Sequence, residues 1–138
     1  MNLKALFATN TGTGTSFGLL VLRVAGLSLF LKHGWEKLSG YSTMVQHFPD
    51  PIHIGAHASL AYAMFSDGIC SVLVILGLAT RLAAAVILIN VLTAFVFVHH
   101  AAYFSNSHLE LLALYIIIFA TLLFTGAGRF SIDERLRR

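Results

Sequence analysis

Phe17–Leu38 reads FGLLVLRVAGLSLFLKHGWEKL, and the rest of the chain answers to it. A helix that crosses a bilayer needs about 20 mostly apolar residues, and this run supplies them. Arg23 interrupts it, and His33, Glu36 and Lys37 close it. A guanidinium in hydrocarbon costs about 2.5–3.5 kcal/mol or more unless something pairs with it. The segment therefore demands a partner for Arg23 elsewhere in the chain. It differs from a cleaved leader, because a charge falls inside the apolar run and no small-residue cleavage site precedes a hydrophilic domain.

Composition points the same way. Of 138 residues, 57% are hydrophobic and only 11% are charged, and the mean hydropathy is +0.81. Soluble domains carry about 25% charged residues, so the expectation is one integral membrane domain spanning residues 1–138. The net charge of +3 comes from scattered basic residues. No basic face with interleaved aromatics is present, which argues against nucleic acid as a partner. Cys70 is the sole cysteine. This excludes an intramolecular disulfide, a CxxC redox pair and a thiolate metal cluster, so any redox chemistry must use a cofactor, a substrate or a partner.

Outward from the first segment, the chain divides into apolar runs. Met1–Ser16 is a Gly- and Thr-rich lead-in. Ser39–Ile54 is the longest connection, punctuated by Gly40, Pro49 and Pro51, with a short amphipathic piece over Tyr41–Phe48. Helices are expected at about 17–38, 57–80, 82–100 and 108–126. Short connections between four such helices predict an all-α, integral membrane four-helix bundle with up-down-up-down topology. An even number of spans puts both termini on one side. That side holds Lys4, Arg81, Arg129, Arg135, Arg137 and Arg138, against Lys32 and Lys37 opposite, so the positive-inside rule places the termini in the cytoplasm. All seven histidines, together with Glu36, Asp50 and Glu110, then fall toward the outward end.

Helical spacing sorts the polar residues. Arg23, Gly26, Phe30, Gly34 and Lys37 share one stripe of the first helix, with His33 at its border. Asp67 shares a face with Ala63, Cys70 and Ser71. Asn90, Thr93, Phe97 and His100 line one face of the third helix, and Glu110, Ala113, Ile117 and Thr121 one face of the fourth. By depth, Arg23 and Asp67 are expected to pair, either as a structural ion pair or as one that also touches a ligand. Lys37, His33, His100 and Glu110 reach similar depth near the outer surface. They form either an interfacial Lys37–Glu110 bridge with peripheral histidines, or a pocket for a quinone-like or other small polar ligand. In the second case Arg23 and Asp67 form the pocket floor. A metal or haem site from His99, His100, His108 and Glu110 is a third reading. Adjacent histidines on a helix diverge by about 100°, and no HExxH or EF-hand pattern is present.

The segments LRVAGLSLFLKHGWEKL, GLATRLAA, the His99–His100 end of the third run, Glu110 and GAGRFSID together resemble the DoxX family of small four-helix bacterial and archaeal membrane proteins. The resemblance runs from about Leu19 to Asp133. The family's recurrent positions correspond to Arg23, His33, Gly34, Lys37, Gly77, Arg81, Glu110 and Arg129, and Asp67 stands where an acidic residue recurs. The resemblance implies a subunit or accessory of a membrane oxidoreductase system linked to sulfur, redox-stress or quinone metabolism. It thus implies a lipid-bilayer setting in a bacterial or archaeal cytoplasmic membrane, with a soluble or membrane redox partner or a homo-oligomer as further associations. A non-catalytic scaffold that docks a redox enzyme, or a small-solute or metal transporter, remains the alternative.

Overall fold

The structure is a computed structural model that describes residues 12–98 and 108–138, the side chains of residues 25, 27, 30 and 108 excepted. Every regular element among the described residues is helical. The first helix occupies residues 13–39: α-helical over Thr13–Leu29, π-helical over Phe30–Gly34 and α-helical again over Trp35–Ser39. A one-turn helix, Tyr41–Met44, follows. The second helix runs Ala56–Met64, passes through a π-helical stretch at Phe65–Cys70 and finishes at Ser71–Leu76. The third comprises Thr80–Thr93 and a π-helical end at Ala94–Val98. The fourth is His108–Thr125, and a short helix, Ile132–Arg137, closes the chain.

Two segments are long and apolar enough to cross a bilayer: Ala56–Leu76, with mean hydropathy 1.8, and Thr80–Val98, with 2.3. Large apolar side chains point outward along their length, among them Ile69 and Ile89. Water would penalise such a surface, whereas hydrocarbon accepts it. The interior is a continuous apolar cluster in which Val74, Ile87, Phe119 and Leu122 are completely buried. The third and fourth helices form the most extensive contact, the first packs along the second, and the second meets the third through its π-helical stretch.

The first and second helices cross antiparallel, and small residues set their separation. A Cβ added at Gly34 would stand 2.8 Å from the Asp67 carbonyl oxygen, and one at Gly26 would stand 3.6 Å from that of Ser71. Glycine at position 34 lets the backbones approach, the usual device between helices in lipid, whereas at position 26 a Cβ would make only ordinary contact.

The second helix stops at Leu76, short of the expected Thr80, because Gly77 is left-handed at φ +71. Ala79 also has positive φ, and the third helix begins at Thr80, two residues before the expected Leu82. The chain end stabilises this turn. The Asp133 carboxylate accepts the amide hydrogens of Ala79 at 2.7 Å and Thr80 at 3.0 Å. The Asp133 amide in turn donates to the Gly77 carbonyl at 2.8 Å. Asp133 therefore satisfies the orphan amides of a helix distant in sequence. The closing helix caps itself: Ser131 Oγ accepts the Glu134 amide at 3.2 Å, as the spacing Ser131–x–x–Glu134 suits.

Candidate functional site

Asp67 lies on the π-helical stretch of the second helix and is almost wholly buried. A carboxylate in such surroundings persists only with partners, and three side chains provide them. Lys37 Nζ makes an ion pair with Oδ2. Asn90 Nδ2 donates to Oδ1 at 2.9 Å, and Ser66 Oγ donates to the same oxygen at 3.4 Å. Lys37 reaches this depth because side chains on a helix lean toward its N-terminus. From near the end of the first helix, its stem therefore runs back into the bundle, leaving the side chain 15% exposed.

This cluster borders a cavity of about 240 Å³. His33, Lys37, Asp67, Asn90 and Tyr115 form its polar wall, and Leu29, Val91, Val98 and Leu112 lie among its apolar residues. The Tyr115 hydroxyl, on the fourth helix, shares a hydrogen bond of 3.0 Å with Ser28 Oγ on the first. All four long helices thus contribute to one chamber. π-helical turns occur beside it in three of them: His33 and Asp67 lie within such turns, and Ala94 and Val98 bound a third. A π-turn adds a residue to the helical repeat and rotates the side chains that follow, which is why such turns gather at functional sites.

The expected Arg23–Asp67 pair is not formed. Arg23 is 1% exposed, but its guanidinium donates to the carbonyls of Ile75, at 3.4 Å, and Phe130, with Asp133 as the nearby negative charge. The physical reason is axial register. Arg23 lies level with Ile75, whereas Asp67 lies roughly 12 Å further along the second helix at 1.5 Å per residue. Arg23 therefore closes the C-terminal end of the second helix, where unsatisfied carbonyls favour a cation. It does not line the cavity.

The Lys37–Glu110 bridge, one of the two readings of the outer polar groups, is also absent, since Lys37 is held by Asp67 and Glu110 is exposed at the start of the fourth helix. The face assigned to that helix is rotated: Leu109, Tyr115, Phe119 and Leu122 are buried, while Glu110 and Ile117 point outward. His99 and His100 lie outside the described residues, as does the side chain of His108. Among the described residues, no group of three His, Cys, Asp or Glu is arranged to hold a metal ion. Of the six proposed ligand contacts, the structure gathers His33, Lys37 and Asp67 and separates Arg23 and Glu110 from them.

Two wall residues, Asn90 and Tyr115, lie outside the ligand set that the sequence singles out. Asn90 is the sole amide in a helix without charged residues after Arg81, a polarity signal that placed it inward without naming its partner. Tyr115 is the lone tyrosine of an aliphatic run; its hydroxyl was the available clue, because a buried tyrosine hydroxyl seeks a hydrogen bond.

Beside the cavity, a connection from Phe48 to Gly55 is pinned to the start of the second helix by Asp50. Its carboxylate accepts the amides of Ile54, at 3.0 Å, and Gly55, at 2.8 Å, and the hydroxyl of Ser59 at 2.8 Å. These bonds, that from Ser59 foremost, hold the Asp50 carboxyl below its ordinary value, since hydrogen bonds to the charged form favour it.

Among the described residues the chain is helical in every regular element, with two helices long and apolar enough to cross a bilayer and a charge pair enclosed between helices, which fits a helical membrane protein. It belongs to the DoxX family, whose model matches residues 18–100. The chain is also 28% identical over 133 residues to an uncharacterized protein of Haemophilus influenzae, an alignment covering 92% of this chain and 88% of that one. No solved structure matches it.

Proposed function

We propose that this protein is a subunit or accessory of a membrane oxidoreductase system that holds the head of a quinone-like small ligand in the cavity beside Asp67. In this reading the four long helices form an up-down-up-down bundle in a bacterial or archaeal cytoplasmic membrane. The termini lie in the cytoplasm, where Arg81, Arg129, Arg135, Arg137 and Arg138 gather, and the cavity opens toward the outward side.

The observation that supports the reading is the imbalance of hydrogen-bonding capacity at the cavity wall. Asp67 accepts from Lys37, Asn90 and Ser66, so its carboxylate is already well supplied. An ammonium carries three donors and an imidazole at least one, and Lys37 and His33 both face the same space. The wall is rich in donors, and its natural complement is a small molecule bearing carbonyl or similar acceptor oxygens. At about 240 Å³ the space is below the usual range for a whole drug-sized ligand, about 300–1,000 Å³. It suits one ring and its substituents.

The test is equilibrium binding of a benzoquinone carrying a short prenyl tail to purified protein in mild detergent, with extraction and mass spectrometry of whatever co-purifies. Wild-type protein is expected to bind the quinone above its partition into empty micelles, and His33→Phe, which keeps a ring of similar size but removes the imidazole donor, to weaken binding at least tenfold while folded yield is kept. Binding indistinguishable from empty micelles, or unaffected by His33→Phe, would remove the reading. A stoichiometric enzyme co-purifying with no small molecule would put a scaffold in its place.

A further inference from the structure

The cavity beside Asp67 shares walls with two neighbours of contrasting character. Toward one side lies a vestibule of about 280 Å³ where the ionisable side chains of His33, Glu36, Lys37 and His47 stand beside Met44. Toward the other lies an apolar groove of about 350 Å³ between the second and third helices, bounded by Ile52, Ile54, Tyr62, Ile89 and Thr93. Phe48 and Pro49 line all three spaces. Asn90, Ala94 and Val98 are common to the central cavity and the groove.

We infer that this groove receives the apolar tail of the same ligand whose head occupies the cavity, so that the ligand enters sideways from the bilayer between the second and third helices. The inference rests on the proposed head-group reading and adds to it a substrate class: a lipid-soluble amphiphile with an acceptor-bearing head and a hydrocarbon tail. Continuity carries the argument. A larger apolar groove, of about 560 Å³, lies between the first and second helices around Trp35 and Phe65. Volume alone would favour it, yet it shares no lining residue with the cavity beside Asp67. A tail there would have to pass the close contact at Gly34, where the two backbones leave no room even for a Cβ.

The outer edge of the smaller groove is suited to lipid. Ile52, Ile54 and Ile89 are each more than half exposed, a surface that hydrocarbon solvates and water does not. Its base is tied across the two helices by the Tyr62 hydroxyl, which donates to the Val86 carbonyl at 3.1 Å. The vestibule differs by bringing four ionisable side chains, His33, Glu36, Lys37 and His47, to its wall. The head is therefore reached by water and protons from one side and by hydrocarbon from the other, with Phe48–Pro49 as the partition.

Two probes separate tail from head in protein reconstituted in nanodiscs: a tail-less dimethoxy-methyl-benzoquinone and the same ring with a decyl tail. After correction for partition into empty discs, the decyl compound is expected to bind wild-type protein at least tenfold more tightly. Thr93→Trp and Ile89→Trp, each placing an indole in the groove, should bring that ratio close to one while tail-less binding stays unchanged. Phe124→Trp, on a distant exposed surface, should leave the ratio intact. A decyl analogue with a diazirine near the tail end should label residues 48–54 and 89–98. A ratio that survives both groove variants, or labelling confined to residues 61–73, overturns the lateral route while the head-group reading stands. Failure of both probes to bind wild-type protein overturns the head-group reading and this inference together.

Discussion

At residue scale, the buried charges are distributed as two separate problems with two separate solutions. Asp67 is satisfied by Lys37 and Asn90 in the chamber, and Arg23 by backbone carbonyls at the opposite end. Removing one partner of a buried pair leaves an uncompensated charge and costs about 3–5 kcal/mol, whereas replacing both by apolar groups of similar volume is often neutral. Lys37→Met is therefore expected to lower thermal stability sharply in detergent, and Lys37→Met combined with Asp67→Leu to recover most of it. Quinone binding should be lost in both. Recovery of binding in the double variant would show that the pair holds the fold and plays no part in the chamber's chemistry. Helical periodicity had already placed Lys37 and Asp67 on inward faces. It could not say that they meet, because that depends on the axial offset between two helices.

At the scale of elements, three π-helical turns and a few glycines decide the arrangement. A turn with an added residue shifts the phase of every side chain beyond it, so a face extrapolated at 3.6 residues per turn drifts after Phe30–Gly34, Phe65–Cys70 and Ala94–Val98. Gly77 is the most constrained junction. Its φ of +71 favours glycine, and an added Cβ would collide with Arg23 Nη1 and stand 2.5 Å from Ser131 Cβ. Gly77→Ala is expected to cost about 1–2 kcal/mol for the left-handed conformation and more for displacing Arg23. The measurement is thermal unfolding in detergent, followed by tryptophan fluorescence or aggregation. Gly26→Ala, whose added Cβ meets only ordinary contacts, should change stability far less. Equal losses at the two sites would show that the clamp around Arg23 is unimportant.

On the scale of the whole molecule, the closing helix and the Phe48–Gly55 connection fasten opposite parts of the helical assembly by carboxylates. Asp133 fastens the closing helix to the turn at Ala79 and Thr80, and its neighbour Glu134, paired within the chain end, is held below its ordinary value chiefly by its hydrogen bond from Arg137, with Arg138 adding to the effect. Asp50 is lowered by Ser59 and the amides of Gly55 and Ile54. A carboxyl whose value is depressed in the folded state stabilises it above the unfolded value, about 4, and that contribution is lost as pH falls through the lower folded value. These two groups should therefore leave stability unchanged from neutral pH down to about 5 and erode it below about 4. Asp50→Asn should reduce the acid-induced loss seen in a pH series of unfolding temperatures. An unaltered acid limb in that variant would show that Asp50 does not fasten the connection.

Hydropathy, the scarcity of charge and the spacing of a few motifs were sufficient for a helical membrane protein of the DoxX family. They also marked His33, Lys37 and Asp67 as residues worth attention, since a charge in an apolar run is expensive wherever it points. The pairing of those charges came only from packing. Arg23 and Asp67 look level from helix lengths alone, but the two helices pack with Gly34 against the backbone of Asp67 and Arg23 beside Ile75 instead. The docking of Asp133 onto Ala79 and Thr80 and the inward rotation of Tyr115 were equally invisible in one dimension. Each depends on a contact between segments far apart in the chain, and local periodicity carries no information about rotation or register between helices.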